Sequence, residues 1–158
     1  MKPITRRGFA FSLAASALYS GPLALFTGEE AKLIEALTNQ IIPSDDAPGA
    51  VETGVVYYID KQLAGPLQRF EPIYRKSIPL FRSACLQQTG QEFVTLPFAQ
   101  QTAWLRQIER GSSLTNFFAL VIDHTMQGFY GSPQYGGNRA AASWKMLAIE
   151  DVMEGHTH

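Results

Sequence analysis

The sequence predicts a single all-α domain, one compact helical body of about five to six helices over residues 27–158, behind an N-terminal signal segment of residues 1–26. Three observations lead there. Apolar side chains recur every three or four positions through most of the body, the spacing of one face of a helix. Glycine and proline cut that pattern into pieces of helix length. Strand-like alternation is nearly absent, with "EFVTL" at residues 92–96 the one weak candidate. With 158 residues, 46% apolar and 17% charged, the chain can bury one core, and its composition is not that of a disordered tail.

The elements follow in order. Thr27 places a capping hydroxyl before Glu29 and Glu30, a good helix start on both capping and dipole grounds. Leu33, Ile34, Leu37, Ile41 and Ile42 continue that helix until Pro43 closes it. "PSDDAPGA" is a turn, and residues 51–63 read as a second helix ended by Gly65. A third segment runs to Gln88, where Pro72 and Pro79 predict kinks or a break. Within it Phe70, Tyr74, Ile78, Phe81 and Cys85 share one face, which makes the single cysteine a small buried hydrophobe. A fourth helix starts at Leu96-Pro97 and a fifth covers residues 114–130. The stretch "FYGSPQYGGNRAAASW" then turns a corner into a last helix.

The chemistry that these residues exclude is as informative. The net charge is −1, with no basic stripe of the kind nucleic-acid binding calls for. Ser44, Asp45 and Asp46 lack the alternating oxygens and closing Glu of a calcium loop, and read instead as caps of a turn and of the following helix. Asp123 and His124 are neighbours on a helix, so they point about 100° apart. No nucleophile elbow or zinc-binding His pair accompanies them. His156 and His158 form a tail too short to fix a metal. Gly136-Gly137 runs into Asn138-Arg139 rather than the Lys-Ser/Thr of a phosphate loop, and no strand precedes it. No cofactor or metal site is predicted. The stretch reads instead as a corner in which Gly136, Gly137 and Asn138 allow positive φ. Phe129, Tyr130, Tyr135 and Trp144 gather aromatic surface around it, either for a partner or for the domain's own core.

The front of the chain is different in kind. Lys2, Arg6 and Arg7 fall in the first 26 residues with no acid, leaving ten basic against fourteen acidic side chains in the body, a net of −4. Thr5-Arg6-Arg7-x-Phe9 precedes a short uncharged stretch and resembles a twin-arginine export signal. The resemblance implies engagement of the twin-arginine translocation machinery and a periplasmic destination. Cleavage after Ala17 and retention as an anchor reaching Phe26 both remain open; retention, or the complex itself, would place the protein at the inner membrane.

"GFYGSPQYGGNRAAASWKMLAI" and "IIPSDDAPGAVETGVVYYID" together resemble the hallmark segments of the gluconate 2-dehydrogenase subunit 3 family, in order and spacing. On that resemblance Pro43, Asp46, Pro48, Gly49, Tyr135, Gly136, Gly137, Asn138 and Trp144 occupy hallmark positions. The sequence departs from the family pattern at Ser132, at Ser143 and after Trp144, where "MLAIED" replaces a glycine-proline close. The resemblance implies a small helical subunit that holds neither flavin nor haem. It would escort and mature a large FAD-dependent sugar or sugar-acid dehydrogenase subunit of the glucose–methanol–choline type, with a multihaem cytochrome c as the further partner. The rival is an independent exported enzyme or ligand-binding module using Asp123, His124 and the Gly136-Gly137 corner.

The signal reading makes a direct prediction. Replacing Arg6 and Arg7 by lysine is expected to abolish export of this chain and of its partner together. Fractionation and immunoblotting would show it, and a partner still found in the periplasm would contradict the escort role.

Overall fold

The computed structural model describes residues 21–154; the motif of Thr5, Arg6, Arg7 and Phe9 and the tail histidines lie outside the described residues. The described part is all helical. Its elements are α1 (Gly28–Ile41), α2 (Val55–Leu63), α3 (Glu71–Thr89), α4 (Phe98–Glu109), α5 (Thr115–Tyr130), α6 (Ala142–Met146) and α7 (Glu150–Glu154). Short 3-10 turns connect several of them.

The first helix begins as its residues dictate. Thr27 Oγ1 accepts from the Glu30 N–H at 3.2 Å, and the Glu30 carboxylate accepts from the Thr27 N–H at 2.8 Å, a reciprocal capping box. Three local expectations need correction. The second helix starts at Val55, because residues 50–54 form a turn ending on Gly54 at φ +74°. Pro72 does not interrupt α3 but sits in its first turn, where its missing N–H has no helical partner to lose, and Pro79 lies inside the helix without breaking it. "EFVTL" is no strand: Phe93–Thr95 is a 3-10 turn that buries Phe93.

Helix α5 is the hub, packed by α1, α2, α3 and α4. Its apolar face, with Phe117, Phe118 and Val121, meets Ile34 and Leu37 of α1, Ile59 and Leu63 of α2, and Phe81 of α3 in one buried cluster. Aromatic edges run through this core: Phe93 on Phe81 at 5.1 Å between centroids, and Tyr74 on Phe117 at 5.4 Å. Such edge-to-face pairs add to simple area burial. Where α2 crosses α5 the helices come so close that a Cβ at Gly128 would lie 2.8 Å from the Tyr58 ring. Cys85 is fully buried, and burial pushes its thiol above the usual range, which suits a packing role.

Two polar features are built into this core. Asp60 of α2, 3% exposed, accepts three consecutive backbone N–H groups, from Ala24 at 2.6 Å, Leu25 at 2.9 Å and Phe26 at 2.8 Å. Its carboxylate thereby ties the entry segment onto α2. The second is His124 of α5, which is buried and stacked parallel to Tyr74, with the Tyr74 hydroxyl 3.0 Å from its Nδ1. Burial raises the Tyr74 pKa, so the phenol stays protonated and shares this hydrogen bond with the imidazole, the imidazole tautomer setting which of the two donates. Burial also lowers the His124 pKa; the Asp123 charge opposes that shift and Arg69 adds to it.

This pair predicts a pH dependence with a definite sign. The folded imidazole protonates at a lower pH than the unfolded one, whose pKa is about 6.5. Below about pH 6.5 the unfolded chain therefore binds the extra proton, and stability falls with pH until the folded pKa is reached, by at most about 1.4 kcal/mol per pH unit. His124→Gln is expected to be less stable than wild type at pH 8, with the gap narrowing towards pH 5 in urea denaturation. A gap independent of pH would refute the assignment.

Candidate functional site

The two hallmark segments meet. The first closes a loop after α1: the Ala50 N–H donates to the Ile42 carbonyl at 2.9 Å, and the Thr53 hydroxyl donates to the Gly49 carbonyl at 2.8 Å. Gly49 is there for space. A Cβ on it would lie 2.5 Å from the Ser44 nitrogen and 2.7 Å from the Ile42 oxygen. Pro43, Asp46 and Pro48 stand exposed on the rim of this loop. The turn itself is held by Asp45, whose carboxylate accepts the Ala47 N–H at 3.0 Å, so the capping role expected of the acids falls to Asp45 and does not extend to α2.

The second segment forms the corner between α5 and α6. Asn138, fully buried at φ 46°, is its clamp: Nδ2 donates to the Gly131 carbonyl and Oδ1 accepts the Ser143 N–H, both at 2.9 Å. Trp144, 3% exposed, donates from its indole nitrogen to the Tyr130 carbonyl at 2.8 Å and so fastens α6 to the end of α5. Gly136 takes φ +105°, a conformation that glycine adopts without strain. Gly137 differs from expectation. Its φ is not in the left-handed region; what it supplies is room, since a Cβ there would collide with the Gly128 carbonyl oxygen and lie 3.1 Å from the Tyr58 Cβ.

The aromatic set divides. Phe129 and Trp144 are core residues, 2% and 3% exposed, so neither can be a contact surface for a partner. Tyr135 and Tyr130 stand outside, 49% and 37% exposed.

Arg139 joins the two loops and was not singled out from sequence. Its N–H donates to the Thr53 carbonyl at 3.1 Å, and its guanidinium lies 4.4 Å over the Tyr57 ring. Gly54 makes way for it, because a Cβ there would be 2.5 Å from the Arg139 Nε. Its charge also reaches Glu35 of α1, whose carboxyl burial pushes above the usual range while Arg139 pulls it back. Between the loops lies a cleft of about 450 Å³ lined by Pro48, Glu52, Thr53, Pro133, Arg139 and Ala140. The only sign of Arg139 in the sequence is its place directly after Asn138.

The catalytic alternative finds no support in this geometry. His124 is turned into the core against Tyr74, whereas Asp123 is exposed, about a hundred degrees round the helix from it. Among the described residues no three His, Cys, Asp or Glu side chains gather as metal ligands would.

What the fold and corner define is a small all-helical domain whose two marked segments are bonded to each other and to the end of α5. The family model described as gluconate 2-dehydrogenase subunit 3 matches residues 28–150, and the chain belongs to that family. The match spans α1 to the start of α7 and contains both loops. No curated protein and no solved structure gave a match.

Different requirements at two adjacent glycines give different costs. Gly136→Ala is expected to lose about 1 kcal/mol to backbone strain alone, since a Cβ there meets nothing closer than 3.5 Å. Gly137→Ala must displace backbone and is expected to lose about 3 kcal/mol. Thermal unfolding of the two variants checks the order, at roughly 4 °C per kcal/mol.

Proposed function

We propose that this chain is a non-catalytic accessory subunit that escorts, matures and stabilises a flavin-dependent sugar or sugar-acid dehydrogenase of the glucose–methanol–choline type. The observation that carries the reading is the family membership, since the family is named for one subunit of a dehydrogenase. A multihaem cytochrome c subunit completes the proposed assembly. The twin-arginine segment would deliver the folded pair to the periplasm, at the inner membrane.

The corner supports the same reading. Asn138, Trp144, Gly136 and Gly137 spend their bonding and their space on holding one backbone shape. That shape presents Tyr135 outward beside α2, where Lys61 Nζ donates to the Gln134 carbonyl at 3.2 Å. An exposed aromatic on a fixed backbone loses little entropy on binding, which is how interface anchors work.

Co-expression with the large flavoprotein subunit, followed by purification through a tag on this chain, tests the reading. A complex carrying the flavin absorbance is expected, with none on this chain alone. Tyr135→Ala should weaken binding roughly thirtyfold, about 2 kcal/mol, while leaving the melting temperature nearly unchanged. Equal affinity with a lowered melting temperature would move the interface elsewhere.

A further inference from the structure

The entry segment carries an inference that neither the family nor the corner supplies. Residues 8–28 are 21 consecutive uncharged positions, within the range of lengths that can cross a bilayer as a helix. In the folded domain three positions near its end are already engaged. Ala24, Leu25 and Phe26 donate their N–H groups to the buried Asp60 carboxylate, 34 to 36 residues further along the chain. The Arg75 guanidinium of α3 donates to the Leu25 carbonyl at 2.9 Å from the other side. Phe26 is 5% exposed, its ring 6.0 Å from that of Tyr74.

We propose that Asp60 is a fold-sensing latch that decides where the end of the N-terminal apolar segment resides. A backbone N–H bonded to a carboxylate inside the domain cannot also lie in a helix within a bilayer. Folding therefore withdraws residues 24–28 from the uncharged run and leaves 16 positions, residues 8–23, too few for a dependable span. The latch exists only when α2 and α3 have folded, because Asp60 and Arg75 come from those helices. An unfolded chain offers all 21 uncharged positions; a folded chain offers a shorter stretch joined to a completed body.

The membrane part of this proposal rests on the reading of residues 1–26 as an export segment, whereas the latch does not, and the two fail differently. If the export reading is wrong, Arg6 and Arg7 substitutions leave the protein's location unchanged and the protease pattern below still holds. The full-length chain is digested with chymotrypsin, and new N-termini are followed by mass spectrometry. Cutting after Leu25 and Phe26 is expected to be at least tenfold faster in Asp60→Ala than in wild type, while cutting after Leu33 and Leu37 in α1 stays slow in both. Should Asp60→Ala lose its helical circular dichroism, Ala24→Pro, which removes one of the three donors and keeps Asp60, is expected to accelerate the same two cuts at least threefold. Equal rates after Leu25 and Phe26 in wild type and the folded variant overturn the latch. Flotation with phosphatidylethanolamine–phosphatidylglycerol vesicles reads the second half. At least tenfold tighter binding by the folded variant is expected, and wild-type binding of equal strength overturns the exclusion from the membrane.

Discussion

One buried amide holds the corner together. Asn138 bonds the carbonyl that ends α5 and the N–H that opens α6, so two helices and the turn between them share a single side chain. A buried amide with both ends satisfied fixes a backbone shape far more sharply than apolar packing does, because each displaced end leaves a polar group stranded. From that fixed point the rest follows. Gly137 can press against Gly128, Trp144 can reach the Tyr130 carbonyl, and Arg139 can cross to Thr53 and Tyr57. The two hallmark segments are remote in sequence and are one object in space, and Arg139 is the joint between them.

The helices were legible because each has a local cause. Thr27 with Glu30 starts α1, Pro97 sits at the N-cap of α4, and Leu33, Ile34 and Leu37 repeat with the helical period. What misled was also local. Glu92–Leu96 looks strand-like by composition, but burial of Phe93 against Phe81 holds it as a turn. Pro72 reads as a breaker unless the start of its helix is already known.

The site was half legible. Glycine, asparagine and tryptophan at the corner announce a constrained backbone, and the structure supplies the bonds. Whether an aromatic faces inward is decided by helices far away in sequence, so Phe129 and Tyr130 could not be told apart. Nor could the two glycines, one needed for its dihedral angle and the other for an approaching helix. Arg139 went unseen because its partners, Thr53, Tyr57 and Glu35, sit on other elements. Asp60 gave no signal either, since backbone donors leave no pattern in sequence.

The backbone around α6 is spent differently from the rest. Ala140, Ala141 and Ala148 all take positive φ, between 52° and 55°, where a Cβ costs about 1 kcal/mol or more per residue. The helix between Ala141 and Ala148 is only five residues long and is pinned by Trp144 and by the Ser143 bond to Asn138. Little intrinsic helicity resists fraying there. In hydrogen exchange the amides of α6 should accordingly behave as a separate, less protected unit from those of α5, opening without the core.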